Sequence, residues 1–422
     1  MEWELDPLSG FTTSVLSSGL TVYHKTYQGC PFEVVGVVVH AGARNDPPGK
    51  AGTAHFLEHL PSSNVPGKTF LETKRFFEMH GGGVKLGVTG FEHSSYRFTL
   101  PASNELLARG FEIFGSMLLQ NAYIKSFEEQ RKIILQEVQE VYQRHGVYMM
   151  EFAKQMRRAL FPGHPLASYV TTAGTPEDVA MITRADIMEF CSKYYCPQNM
   201  SIVAVGGTTD KDLLALLGHS PFSVTMKGET RTIYPPFVPL NNIDRPFRQV
   251  SQAEFLKHQV DQSSYDSMSA LPCEIKQRHI HIFKGMLEEL FFTKIREEKN
   301  FAYGFYSKHV SFSDIQQFSI CGKFNPTKQD EVRELVEACI RETANNKDLF
   351  EQTKRLVIQS YLIEEMTKME VRNRIMRQIE TRPGVRTLQT QLKICEAMTL
   401  KDIAPIVEAL HPDKRWTIVV TP

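Results

Sequence analysis

The chain has no surplus charge. Its 422 residues hold 48 Lys+Arg and 48 Asp+Glu, a formal net charge of zero. Nucleic-acid binders generally show a basic excess, so nucleic acid is not expected among the partners. Paired cysteines are also lacking. Cys30, Cys191, Cys196, Cys273, Cys321, Cys339 and Cys395 form an odd, loosely spaced set with no C-x-x-C. This excludes a disulfide scaffold and reads as the reduced thiols of a cytoplasmic protein. No run approaches the ~18 apolar residues that span a bilayer, so no membrane is expected. Residues 1–10 carry Glu2, Glu4 and Asp6 rather than the basic-then-apolar order of a signal peptide. What is present is ordinary for a globular chain: 42% hydrophobic and 23% charged residues. The length predicts two or three domains, each able to bury its own core.

The order of elements runs through the chain twice. Residues 20–27 and 33–41 are rich in β-branched and aromatic residues and read as strands. After a Gly/Pro/Asp loop come short helices over 53–60 and 70–79, a hairpin over 83–100 and two long amphipathic helices over 103–121 and 125–158. A helix over 184–195 and the strand 200–206 close the first half. Residues 218–248, with Pro221, Pro235, Pro236, Pro239 and Pro246, read as a linker. Strands near 251–269, a helix over 274–298, a hairpin over 302–324, helices over 328–346 and 348–378, and the strand RWTIVVT at 415–421 loosely repeat the order. The expected fold class is α+β, with two related domains, each a mainly antiparallel sheet packed against helices.

The strongest chemical signal is His55-Phe56-Leu57-Glu58-His59, an H-x-x-E-H. On a helix, positions i and i+4 share a face, so both imidazoles reach one ion. A catalytic zinc takes three protein ligands and leaves a fourth position for water, whose proton Glu58 at i+3 can accept. Chance places roughly 0.02–0.03 such strings in a chain of this composition. The alternative is a surface helix with charged side chains, or histidines satisfied in a core.

A third ligand has to come from elsewhere. In the helix over 125–145, Ile133, Ile134, Val138 and Val141 mark an apolar stripe. Glu137 lies at +4, +3 and −4 from Ile133, Ile134 and Val141. It is expected to point into the packed face, where a carboxylate needs a partner. Zinc would supply one, as would a buried Arg or Lys. Glu129 falls on the far side, and Glu128 and Glu140 at the stripe edges. His279 and His281, two apart on a helix, read as structural. Cys191 and Cys196 lack a ligand pattern, and the pairs Phe76-Phe77 and Phe291-Phe292 read as core. Arg296 and Tyr303 by themselves read as a helix-end charge and a strand aromatic.

H-x-x-E-H resembles the inverted zinc signature of the inverzincins, the pitrilysin and mitochondrial-processing-peptidase family. The likeness extends to GTAHFLEHL at 52–60, GHPLASYVTTAGTPEDVAMIT at 163–183 and YYCPQNMSIVAVGG at 194–207. Glu137, 78 positions after His59, falls close to the family's third zinc ligand. Arg296 and Tyr303, seven apart in REEKNFAYGF, are similar to the pair with which the family's C-terminal domain holds substrate. Two positions depart from the pattern. Gln130 stands seven before Glu137, where the family often has an acid. The hairpin reads Gly82-Gly83-Val84-Lys85-Leu86-Gly87-Val88-Thr89 with Tyr96 in register, where the family resembles G-G-x-x-N-A-x-T. Leu86 thus replaces an Asn, and losing such a polar contact costs ~10²–10³ in rate in other enzymes.

The resemblance implies a fold of the LuxS/peptidase-like class. Residues 1–217 would form the zinc-binding domain, 218–248 the linker, and 249–422 a domain contributing substrate contacts. One Zn²⁺ per chain would be held by His55, His59 and Glu137. Glu58 would move the proton in peptide hydrolysis, with Arg296 and Tyr303 holding substrate and helping the oxyanion. A homodimer, or a heterodimer with a related chain, would enclose a chamber. There one chain's Arg296 and Tyr303 complete the site near the other's zinc. Peptides or unfolded segments would bind as an added strand near 83–90. The alternative is a zinc-bearing or structural subunit of a hetero-oligomeric processing complex.

Overall fold

The computed structural model describes residues 10–61, 65, 68–82, 84–119, 126–145, 147–169, 171–243, 247–252, 261–381 and 385–422. In chain order the first half contains β1 (Thr12–Val15), β2 (Thr21–Thr26), β3 (Phe32–Val39), α1 (Thr53–His59), α2 (Phe70–Met79), β4 (Val84–Thr89) and β5 (Ser94–Pro101). It continues with α3 (Asn104–Leu119), α4 (Phe127–His145), α5 (Val147–Leu160), α6 (Pro176–Met181), α7 (Arg184–Tyr194), β6 (Met200–Gly206) and α8 (Asp210–Gly218). The second half contains β7 (Phe247–Ser251), β8 (Ser263–Leu271), α9 (Gln277–Leu290), β9 (Ala302–Ser311), β10 (Gln316–Phe324) and α10 (Gln329–Thr343). It ends with α11 (Lys347–Glu364), α12 (Lys368–Thr381), α13 (Leu388–Glu396), α14 (Ala404–Ala409) and β11 (Arg415–Thr421).

Both sheets are wired alike. The first has the order β1-β2-β6-β3-β5-β4 and the second β7-β11-β8-β10-β9. In each, the last strand of the half inserts parallel beside an early one, β6 beside β2 and β11 beside β7, and every other pairing is antiparallel. The expected pair of related α+β domains is therefore present. The short, polar β1 extends the first sheet and was not visible in the sequence pattern.

The inserted strands are continuously apolar because they are covered on both faces. All seven residues of β6 are buried. On one face Val22, Val35, Val37, Ile202 and Ala204 pack with α1, α3 and α7 through Phe56, Leu57, Phe111, Phe114 and Ile187. On the other, Val34, Val38, Val203 and Val205 meet Val371, Ile375, Met376 and Ile379 of α12. Each such buried side chain contributes about 1.5–3 kcal/mol of transfer free energy.

The chain divides into two compact units that do not follow its linear order. Unit 1 is Met1–Met150, Tyr169–Ile233 and Glu364–Thr387; unit 2 is Glu151–Ser168, Tyr234–Ile363 and Leu388–Pro422. The single helix expected over 348–378 is two helices. Glu365 turns inward to Lys25 and Arg374, and the Thr367 hydroxyl accepts from the Glu370 N–H, starting α12 afresh. The helix expected over 125–158 is likewise α4 and α5, with Gly146 outside the described residues. Unit 2 has its own core, built from α9, α10 and the facing residues of β8–β11, among them Phe283, Leu287, Val336, Phe318, Ile320 and Val419. Among the described residues no helix is long and apolar enough to cross a membrane, and none of the seven cysteines is in a disulfide.

Candidate metal centre

Helix α1 is capped by the loop before it. Its first residue follows Gly52, whose φ of 94° rules out an ordinary cap, and the Asp46 carboxylate accepts from Gly52 N (2.7 Å) and Ala54 N (2.8 Å). Burial pushes the Asp46 carboxyl up to about 7, against hydrogen bonds from Ala54, Gly52 and Tyr169. The helix buries Ala54, His55, Phe56 and Leu57. Phe56 stacks on Phe127 of α4, and Arg131 lies over the Phe127 ring at 4.9 Å while donating to the carbonyls of Ala180 and Ile182. These contacts set α4 against α1.

That setting brings Glu137 to the two histidines. The Glu137 carboxylate lies 3.6 Å from His55 Nε2 and 3.3 Å from His59 Nε2, and the two rings are 4.8 Å apart between centroids. Glu58 Oε2 is 4.0 Å from His55 Nε2. His55, Glu58 and His59 each offer a ligand atom within 4.8 Å of the others'. Hydrogen bonds from His55 and then His59 hold the Glu137 carboxyl far below the usual carboxylate range. Burial pulls His59 down, but its hydrogen bond to Glu137, the charges of Glu58 and Glu137 and a hydrogen bond with Gln130 carry it above its ordinary value.

The donor set suits a metal ion. Ligands about 2.0–2.2 Å from a tetrahedral zinc lie about 3.3–3.6 Å from one another, which is the spacing between the Glu137 carboxylate and each imidazole. Two imidazoles and one carboxylate also leave a fourth position open. His55 Nδ1 is buried without a hydrogen-bond partner among the described residues, whereas a metal-binding imidazole ordinarily donates from its second nitrogen.

Glu137 sits differently from expectation. It is at the rim of the packed face, with its side chain 44% exposed, and not inside it. The buried stripe of α4 runs through Phe127, Ile134 and Val138, while Ile133 is 48% exposed. Glu137 is next to that stripe and turned toward α1, which is why it reaches the histidines. The side chain of Leu86, and Gly83 altogether, lie outside the described residues.

Two family models match the chain. One, described as insulinase (peptidase family M16), covers residues 26–170; the other, described as peptidase M16 inactive domain, covers residues 181–357. The chain belongs to peptidase family M16. This is the pitrilysin and processing-peptidase group that H-x-x-E-H resembled. An uncharacterized zinc protease of Mycobacterium bovis is 26% identical over 318 residues, 73% of this chain and 68% of that protein. Mitochondrial cytochrome b-c1 complex subunit 1 of Bos taurus is 30% identical over 209 residues, 48% of this chain and 41% of the subunit. The crystal structure of a peptidase M16 inactive domain from Pseudomonas fluorescens shares the fold at a TM-score of 0.84 and 15% identity, over 98% of each chain.

The M16 inactive-domain match contains Arg296 and Tyr303. Beyond α9 the backbone widens into π-type turns over Phe291–Glu298, a distortion often found at functional sites. The turns bring the Arg296 guanidinium 4.8 Å from the Tyr303 ring and 5.1 Å from that of Phe292. Tyr303 is 76% exposed on β9, an edge strand. Phe292, expected in the core, is 47% exposed because it flanks Arg296; Phe291 is buried. Sequence reasoning assigned no role to Asp46, Phe127 or Thr89. Asp46 and Phe127 are not distinguished from loop and core residues until α1 and α4 are placed together.

Proposed function

We propose that this M16 chain is a zinc-dependent endopeptidase acting on peptides or unfolded segments. The convergence of His55, His59 and Glu137, with Glu58 on the same helix face, carries the reading. The printed description of the Mycobacterium bovis relative as a zinc protease supports it. His55, His59 and Glu137 would hold one Zn²⁺ per chain. When bound, zinc supplies a Lewis acid that makes a water acidic and polarises the scissile carbonyl. Glu58 accepts the proton of the attacking water and returns it to the leaving amine nitrogen. The substrate lies along β4, the edge strand of the first sheet, as an added strand. In a homodimer, Arg296 and Tyr303 of one copy hold substrate near the zinc of the other. In this division of labour residues 1–217 carry the zinc, 218–248 link, and 249–422 contribute the Arg–Tyr pair.

The test is mass spectrometry of an unstructured peptide mixture after incubation with the pure chain, with Glu58→Gln alongside. Cleavage by the wild type alone is expected, with zinc bound by both. Equal cleavage by both proteins overturns the role of Glu58.

A second reading is favoured by Gln130, a neutral side chain beside His59, and by the likeness to a cytochrome b-c1 subunit: a chain that acts within a hetero-oligomer. A purified chain that is monomeric, binds zinc and cleaves nothing would favour it.

A further inference from the structure

Glu58 has a long side chain, and a base on three rotatable bonds is effective only when something holds it. What holds it belongs to β4. The pairing of β4 with β5 shifts register between Lys85 and Val88, an irregularity that includes Gly87. A Cβ built on Gly87 would stand 2.0 Å from Glu58 Oε1 and 2.3 Å from its Cγ, so the carboxylate occupies the room that a side chain would take. Two residues on, and so on the same face of the strand, Thr89 Oγ1 donates to Glu58 Oε2 at 3.1 Å. Thr89 is itself anchored, its carbonyl accepting from the Thr172 hydroxyl at 3.3 Å. Glu58 is thereby pressed against one strand residue and tied to another, with its side chain 13% exposed.

We infer that Thr89 is a positioning residue for Glu58, holding the base from the edge strand. The inference rests on the endopeptidase reading above. It makes the placement of the base a property of β4: the strand along which a peptide would be added also sets the carboxylate that acts on it. Thr89 acts through its hydroxyl.

Two variants separate this role from a merely structural one: Thr89→Val, which keeps the shape and removes the donor, and Thr89→Ser, which restores the donor. Each is compared with the wild type and Glu58→Gln by kcat and KM on an unstructured fluorogenic peptide, bound zinc by atomic absorption, and melting temperature. In Thr89→Val, kcat falls about tenfold or more while KM stays within about twofold and zinc content is unchanged; Thr89→Ser recovers most of the loss. Wild-type kcat in Thr89→Val, or no recovery in Thr89→Ser, overturns the inference while the endopeptidase reading stands. A wild type that cleaves no better than Glu58→Gln overturns the endopeptidase reading instead. The seat is then decided by crystals: Glu58 ordered against Gly87 in the wild type and displaced in Thr89→Val supports it, and the same Glu58 position in both overturns it.

Discussion

Phe56 of α1 stacks on Phe127 of α4 with ring centroids 4.7 Å apart and planes inclined by 20°. This contact joins the helix carrying both histidines to the helix carrying Glu137. Phe127→Leu should therefore do two things. It should lower stability by about 1–3 kcal/mol, and it should weaken zinc binding by about tenfold, as disturbed supports of metal ligands do. Competition against a chromogenic chelator measures the second effect. Unchanged zinc affinity in the folded variant would show that the stack does not set the ligand geometry.

Glu137 has a heavier part in the proposed site. Glu137→Ala should lower zinc affinity by more than about a hundredfold, beyond what losing a supporting partner costs, and should abolish cleavage. Stripping zinc from the wild type with a chelator should likewise abolish cleavage, and adding zinc should restore it. Because Glu137 is at the rim of the core and 44% exposed, metal-free Glu137→Ala should lose only its hydrogen bonds to His55 and His59 and melt within a few degrees of metal-free wild type. Retained zinc in the variant would exclude Glu137 as a ligand.

The pH dependence of stability should carry a signature of His24. This buried imidazole has Nε2 3.5 Å from Glu33 and Nδ1 2.5 Å from Asp210. Burial pulls it down, but hydrogen bonds and charge from Glu33 and Asp210 carry it above its ordinary value of 6.5. A group raised in the folded state stabilises fully below its unfolded value, and that contribution is lost as pH rises through the folded one. The melting temperature should therefore fall as pH is raised from about 6 through that value. His24→Gln should flatten this limb, and an equally steep limb in the variant would assign it to another group.

The buried cluster on the opposite face of the first sheet should be costly to break. Lys25 Nζ lies 3.1 Å from Glu365 Oε2, Arg374 bonds the other oxygen, and all three side chains are at most 4% exposed. Glu365→Gln leaves two buried cations without their counter-charge. It should destabilise by about 3–5 kcal/mol, read by chemical denaturation. A loss below about 1 kcal/mol would mean that water reaches the pair, as for an exposed bridge.

The cluster of His55, Glu58 and His59 was legible because it lies within about one turn of helix and carries its spacing in the sequence. Glu137 was singled out because the stripe, drawn to include Ile133, was read as enclosing it; with Ile133 exposed, Glu137 lies beside the stripe instead. The repeated strand order was legible from β-branched runs such as SIVAVG and RWTIVVT. The destination of α12 was not. Val371, Ile375, Met376 and Ile379 mark a helix face that must be buried, but periodicity does not say against which sheet. The seat of Glu58 was equally out of reach, since Thr89 gains a role only when β4 and α1 lie side by side.

The packing of α12 has a consequence for synthesis on the ribosome. The face of the first sheet formed by Val34, Val38, Val203 and Val205 is complete once residue 206 has emerged, yet its cover ends at Thr381. At bacterial-to-eukaryotic elongation speeds the nascent chain would carry that bare apolar face for on the order of ten to thirty seconds. The N-terminal half should therefore depend on holding chaperones during translation, and a chain ending near residue 233 should bind apolar dyes and aggregate.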